Sequence, residues 1–245
     1  MKKLLILCLF LAFVYACKGD AISASPTTGV GGSTARFTIA NGYLYIVDNQ
    51  SLKVYNIQNV ANPIFIKKTL LNTVVETIFP FNEHLLVGTQ NGMYIFNISA
   101  PENPQFVSVY SHIVSCDPVV AEGNYAYVTL RSGTNCNRGL NVLDVIDIKD
   151  LKSPKLMSSY PMQSPNGLGI GGNLLFVTEG SNGLKVFDKT NPLALKQLKY
   201  IQDFAAVDVI PQDNTLIITG KDGIYQYSYN AQQELKLLSK IGVEK

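Results

Sequence analysis

Five short apolar runs recur along this chain at a nearly constant spacing, and this period restricts the possible folds more than any other feature. The runs begin 41, 41, 49 and 41 residues apart, at Tyr43, His84, Tyr125, Leu174 and Thr215. An apolar strand and a short turn precede each run, and a second turn and a third apolar strand follow it. A loop then leads into a fourth, more polar strand, and in four repeats this loop contains a proline: Pro63, Pro104, Pro154 and Pro192.

Four strands in a repeat of about 41 residues are typical of a β-propeller blade, and no window shows the 3.6-residue period of a helix. The sequence therefore predicts an all-β fold, a five-bladed β-propeller of four-stranded antiparallel blades around a central channel. The predicted blades cover residues 35–75, 76–116, 117–165, 166–206 and 207–245.

Closure of this ring is the open point of the prediction. The chain enters on an innermost strand and leaves on an outermost one, so no blade is shared between the two ends. Closure then depends on packing between the first and last blades, unless part of residues 25–33 adds an edge strand. An open ring, or one with a different number of blades, is the alternative.

The residues before the repeats have a composition of their own. Two lysines lead into an apolar run over residues 4–16, which is long enough for a secretory signal and too short to span a bilayer. An alanine directly precedes Cys17, and this junction resembles the lipobox of bacterial lipoproteins. We expect a signal peptide over 1–16, lipidation of Cys17 and a flexible tether over 17–34. The alternative is an ordinary cleaved signal in which Cys17 is incidental.

Charge argues against one large class of partner. Removal of the expected signal peptide would leave 18 basic and 18 acidic residues, because that segment contains two lysines and no acid. A net charge near zero lacks the basic footprint of nucleic-acid binding. We therefore expect no nucleic-acid partner.

The third strands of the repeats carry short related motifs, written GLKVFD, NVLDVID and SLKVYN. These motifs resemble the LVIVD repeat of bacterial secreted and lipid-anchored β-propellers. The phrases CDPVV…YVTLRSGT.C and GLGIGGNLLFVTEGSNGLKVFD also resemble lipoproteins of that group. The resemblance covers about residues 36–229 and implies the propeller fold, whereas many members have no assigned activity. The chain departs from the pattern at Asn56 and Asn97, which replace the aspartate of the motif, and in the fifth copy, GIYQYSYN.

Cys116 and Cys136 flank the first two strands of the third blade. The loops that carry them leave an antiparallel blade on the same face, and the extra residues of this repeat fall in the same loop, 131–139. With Cys8 removed and Cys17 acylated, these two cysteines are left to pair in an oxidising compartment. We expect a disulfide that stabilises the insertion by about 3 kcal/mol in the chain-entropy description. Two unpaired thiols are the alternative, and the spacing does not favour zinc.

Superposition of the repeats brings five polar residues to the points where the inner strands begin. Glu76, Asp117 and Asn166 share one level, and Arg36 and Asp208 lie one residue further on. We expect them to ring one mouth of the channel, where they could bind a sugar, coordinate Ca²⁺ through oxygen atoms or act as paired carboxylates. The alternative is a set of solvated polar residues at a water-filled mouth.

Other motifs give weaker indications of chemistry. His84 and His112 are the only histidines, so a histidine-rich zinc site is excluded. The glycine-rich stretch at residues 167–172 lies inside a predicted hairpin with no helix after it, which favours close packing at the channel over phosphate binding.

These observations predict a non-enzymatic, membrane-anchored propeller that presents its loop face to a protein or glycan partner. The expected location is the cell envelope, on the outer membrane of a Gram-negative bacterium, and no cofactor is assigned. A competing prediction is a glycan-hydrolysing enzyme that uses the carboxylates of Glu76, Asp117 and Asp208. A third is a structural subunit of an envelope assembly, recognisable by an exposed apolar patch on a blade edge.

Overall fold

A computed structural model of the chain describes residues 32–111, 118–132, 140–230 and 234–243. Within these ranges, twenty β-strands form five four-stranded antiparallel sheets, which are the blades of a five-bladed β-propeller. The described part of the chain contains no helix that is long and apolar enough to cross a membrane.

Each blade is a simple meander in which consecutive strands pair. The strands of blades one and two are β1 (Phe37–Ala40), β2 (Tyr43–Asp48), β3 (Ser51–Asn56), β4 (Ile64–Leu70), β5 (Val75–Phe81), β6 (His84–Thr89), β7 (Gly92–Asn97) and β8 (Gln105–Ser111). Those of blades three and four are β9 (Val119–Glu122), β10 (Tyr125–Leu130), β11 (Val142–Asp147), β12 (Lys155–Pro161), β13 (Leu168–Gly171), β14 (Leu174–Thr178), β15 (Leu184–Asp188) and β16 (Lys196–Ile201). Blade five consists of β17 (Asp208–Gln212), β18 (Thr215–Gly220), β19 (Gly223–Tyr229) and β20 (Leu235–Gly242).

The predicted fold class is confirmed, including the fifth blade, whose motif departs most from the repeat. β19 pairs with both β18 and β20, so GIYQYSYN occupies the third-strand position like its counterparts. The first strand of blade two begins at Val75, one residue inside the range predicted for blade one.

Apolar side chains on both faces of the blades form the core. Four clusters of buried residues each lie mainly between two consecutive blades, from the first joint to the fourth. Every one of the five residues of β14 is buried, which explains why its sequence is apolar without alternation. A strand covered by neighbouring blades on both faces needs no polar alternation. The outermost strands, in contrast, are largely exposed.

The residue that ends the third strand explains the Asp/Asn variation of the motif. Its side-chain oxygen accepts a hydrogen bond from the backbone N–H two residues later, which is an Asx turn. The distances are 2.9 Å for Asn56, 3.0 Å for Asn97, 2.9 Å for Asp147 and 2.8 Å for Asp188. Because an amide oxygen and a carboxylate oxygen both accept this bond, Asn56 and Asn97 preserve the turn.

Candidate functional site

The inner strands β5, β9, β13 and β17 enclose an axial cavity of about 210 Å³. Its lining is mainly apolar and includes Phe79, Val120 and Ile210. Gly169 lies so close to β17 that a Cβ atom on it would be 2.4 Å from Cδ of Pro211. Gly169 therefore packs closely at the channel, as expected for the glycine-rich stretch, whereas a Cβ atom at Gly172 would meet nothing within 4 Å.

The mouth of this channel at which the inner strands begin, the strand-start mouth, is the candidate site. Arg36 directly precedes β1, Glu76 lies in β5, and Asp208 begins β17, as the repeat predicted. Asn166 lies two residues before β13, in a segment that hydrogen-bonds to Thr178. Asp117, the fifth predicted member, falls outside the described residues.

Asp208 is buried and its carboxylate is fully engaged. One oxygen accepts hydrogen bonds from the Ser33 hydroxyl at 3.2 Å and the Val209 N–H at 3.0 Å. The other accepts from the hydroxyl and the N–H of Thr34, at 2.6 and 3.4 Å. Burial raises the pKa of Asp208 above its ordinary value, and these hydrogen bonds oppose the shift. The carboxylate therefore attaches the segment before β1 to blade five and is not available to a ligand.

Glu76 is the more accessible carboxylate of the mouth. It is half-buried, and burial raises its pKa, whereas a hydrogen bond to Gln90 and the charges of Arg36 and Arg131 lower it. The Arg36 guanidinium also donates to the carbonyl oxygen of Val75 at 3.3 Å. Glu76 is therefore a half-buried carboxyl group that is influenced by two cations.

A chain of polar contacts extends from Asn166 into blade four. The Arg131 guanidinium donates to the side-chain oxygen of Asn166, whose amide donates to the carbonyl oxygen of Ser164 at 2.8 Å. The Ser164 N–H donates to Glu179 at 2.6 Å, and Glu179 forms an ion pair with Lys185, also at 2.6 Å. Glu179 is completely buried. These contacts hold Asn166 in place at the strand-start mouth.

Sequence analysis missed Arg131 and Glu179 as residues of this region. Both immediately follow a second strand, β10 and β14, at the same end of the blades as the predicted ring. Comparison of that position across the repeats, in the same way as the strand starts were compared, would have found them.

The arrangement limits the chemistry of the mouth. Glycoside hydrolysis by the usual route needs two carboxyl groups that face one substrate. Here the Asp208 carboxylate is occupied by hydrogen bonds from within the protein. Among the predicted residues that the structure describes, Glu76 is then the carboxylate that a ligand could approach. In the described part of the chain, no three acidic, histidine or cysteine side chains are grouped so as to hold a metal ion.

The lipidation residue Cys17, the pair Cys116 and Cys136, and His112 lie outside the described residues, so the anchor and the disulfide stay predictions. His84 begins β6 and lies 3.3 Å from the side-chain nitrogen of Asn97. Burial lowers the pKa of His84.

Comparisons with known proteins support the repeat fold. The family model of the LVIVD repeat matches residues 31–70 and 115–161. These stretches include most of blade one and most of blade three. No curated protein matches the chain.

Solved structures match over most of this chain at low identity. A protein from Lactobacillus plantarum superposes with a TM-score of 0.67 and 16% identity, over 81% of this chain and 67% of that one. The periplasmic gluconolactonase PpgL from Pseudomonas aeruginosa gives 0.65 and 13%, over 82% and 67%. BamB from Moraxella catarrhalis gives 0.55 and 12%, over 84% and 60%. These matches show the fold alone, and the chain spans 60–67% of the length of these proteins.

Proposed function

We propose that this propeller is a non-enzymatic binding module of the cell envelope, held to the membrane by lipidated Cys17, and that its partner is a protein. The observation that carries the proposal is the apolar character of the outermost strands. Large apolar side chains that are at least half exposed occur on the outer strands of four blades: Ile64, Phe65, Leu70, Phe106, Leu156, Leu238 and Ile241.

Outer strand β4 illustrates why a protein fits better than a glycan. Ile64, Phe65 and Leu70 are all more than half exposed on this seven-residue strand. β4 is also the last strand of its sheet, so one of its edges has no strand partner within the described residues. An apolar strand with a free edge can accept both apolar side chains and a backbone strand from a protein.

The engagement of Asp208 supports the non-enzymatic part of the proposal. A hydrolase built on the predicted carboxylates would need Asp208 to face the channel mouth, whereas Ser33 and Thr34 cover it. The apolar lining of the small axial cavity offers few polar groups to a sugar.

Site-specific photo-crosslinking in intact cells tests the proposal. A photoreactive residue at Phe65 is expected to give a discrete protein adduct, and one at the exposed turn residue Lys152 is expected to give none. Glycan-containing adducts, or equal labelling at both positions, would contradict a protein partner on β4. The variant Cys17→Ser is expected to move the protein from the membrane fraction to the soluble fraction, which tests the anchor separately.

A hydrolase acting at the strand-start mouth is the second candidate, and the position of the half-buried Glu76 carboxyl at this mouth favours it. A carboxyl group in such a place can serve as a general acid or base. The purified protein and its Glu76→Gln variant should be compared on glycan and lactone substrates. Turnover that Glu76→Gln abolishes would replace the binding proposal with an enzymatic one.

A further inference from the structure

The face of blade one that points away from blade two is unusually exposed. Phe37 of β1 is 60% exposed. Its counterparts at the same register on the inner strands of the other blades are buried: Ile78, Val119, Leu168 and Val209. Leu44 and Ile46 on β2 are likewise partly exposed, whereas the eight equivalent residues are completely buried: Leu85, Val87, Ala126, Val128, Leu175, Val177, Leu216 and Ile218. We call Phe37, Leu44 and Ile46 the backward face of blade one.

Blade five has a matching exposed face on its other side. Ile217 on β18 is partly exposed, although its counterparts are buried: Tyr45, Leu86, Tyr127 and Phe176. Ile224 on β19 is 38% exposed, although its counterparts are completely buried: Leu52, Met93, Leu143 and Leu184. We call Ile217 and Ile224 the forward face of blade five.

These two faces are of opposite kinds. At each of the four filled joints, the forward face of one blade packs against the backward face of the next, as Tyr45 and Val47 do against Leu85 and Val87. None of the four buried clusters found in the described residues joins blade five to blade one. At the strand-start mouth, the fifth joint is bridged by the hydrogen bonds of Ser33 and Thr34 to Asp208.

We propose that the fifth joint is a self-association surface, at which the backward face of blade one packs against the forward face of blade five in a second copy of this chain. A second copy carries both kinds of face, so one contact covers the backward face of one molecule and the forward face of the other.

The chemistry of the backward face suits such a contact. The backward face is apolar, and Lys53, which lies on β3 on the same side, is neutralised by Asp48 at 2.6 Å. Burial of Phe37, Leu44 and Ile46 therefore removes apolar surface from water without leaving that lysine unpaired. A head-to-tail contact of this kind closes into a ring or extends into a filament, according to its rotation angle.

The test measures the mass of the purified full chain over a concentration series, by sedimentation velocity and light scattering. We expect the wild type to self-associate with rising concentration and Phe37→Glu and Ile224→Glu each to stay monomeric. Leu193→Glu is the matched control, because Leu193 is 42% exposed in the loop before β16 of blade four, away from the joint. Far-ultraviolet circular dichroism checks that each variant is folded, and Phe37→Ser serves as a milder version of the first change.

A mixture of the two monomeric variants distinguishes head-to-tail association from other modes. Phe37→Glu keeps an intact forward face and Ile224→Glu keeps an intact backward face, so an equimolar mixture is expected to form a heterodimer. A wild type that stays monomeric up to its solubility limit would overturn the proposal. Association that survives either substitution, or variants that fail to complement each other, would also overturn it.

Discussion

The hydroxyl group of Thr34 lies 2.6 Å from a carboxylate oxygen of Asp208 and donates a hydrogen bond to it. The Ser33 hydroxyl donates to the other oxygen of Asp208 and accepts a hydrogen bond from the Leu168 N–H at 2.7 Å. The segment before blade one is thereby attached to blades four and five. Because Thr34 and Asp208 are 174 residues apart, this contact links the two ends of the propeller near its axis.

Asp208 gives the protein a characteristic dependence of stability on pH. Burial raises the pKa of Asp208 above its ordinary value of 3.8, so the native state binds this proton more tightly than the unfolded chain does. The contribution of Asp208 to stability is therefore greatest below pH 3.8 and falls as the pH rises through the native pKa. Asp208→Asn removes this titration. The difference in unfolding free energy, wild type minus Asp208→Asn, is expected to fall as the pH rises from 3.8 through the native pKa.

Urea unfolding at a series of pH values from 3 upward measures this difference, since all other titrating groups are shared. Asp188→Asn is a suitable control, because hydrogen bonds lower the pKa of Asp188. For the control, the difference should grow as the pH rises. A difference for Asp208→Asn that is constant, or that grows as the pH rises, would show that burial does not determine the direction of the pKa shift of this carboxyl.

Gly169 packs against β17 without space for a side chain. A Cβ atom there would lie 2.4 Å from Cδ of Pro211 and 2.9 Å from the carbonyl oxygen of Val209. Gly169→Ala should therefore destabilise the protein by about 1–3 kcal/mol through overpacking. Gly242→Ala is the matched control, because a Cβ atom at Gly242 would meet nothing within 4 Å. Thermal unfolding of the two variants should show a lower Tm for the first alone.

Sequence periodicity predicted the blades well because the blade is a local structure. The second strand of every blade begins at the predicted residue, as β6 does at His84, since a meander joins strands that are close in sequence and marks them with turns. A bulge between the third and fourth strands was not predicted, although it recurs at the same position in all five blades, as at Val54/Tyr55. Nothing in the residue types marks the extra residue.

The mouth was predicted only as far as the repeat determines it. The repeat placed Glu76 and Asp208 at the starts of inner strands, and there they lie. It could not show that Asp208 is covered, because Ser33 and Thr34 belong to a segment outside the repeat. The exposure of Phe37 could not be predicted from the sequence either. A phenylalanine fits a buried position, and whether it is covered depends on how the ring closes.

The Asx turn after β15 predicts which substitutions the motif tolerates. Hydrogen bonds from the side chain and the N–H of Thr190 to the carboxylate of Asp188 lower the pKa of Asp188, and the N–H bond is the one that forms the turn. Asp188→Asn should leave the Tm unchanged at neutral pH, because Asn56 makes the same turn with an amide oxygen. Asp188→Ala should lower the Tm, since the Thr190 N–H loses its acceptor. An equal loss in both variants would mean that charge, and not the turn, matters here.

The buried ion pair of Glu179 and Lys185 supports the strand-start mouth from within blade four. Glu179 accepts hydrogen bonds from the N–H groups of Gln163 and Ser164, which precede Asn166. Lys185→Met would leave the Glu179 carboxylate buried without its cation, so we expect a loss of about 3–5 kcal/mol in unfolding free energy. Chemical denaturation measures this loss. The double variant Glu179→Gln, Lys185→Met should recover part of it, because no unpaired charge remains.

An exposed ion pair provides the comparison that separates burial from charge. Lys53 and Asp48 are also 2.6 Å apart, but their side chains are 30% and 42% exposed. Lys53→Met should leave stability nearly unchanged, because water already solvates both charges at this position. If Lys53→Met and Lys185→Met were equally destabilising, desolvation of Glu179 could not be the cause. A large loss confined to Lys185→Met would instead show that the buried charge pair stabilises blade four. There Glu179 holds the backbone at Ser164, two residues before Asn166.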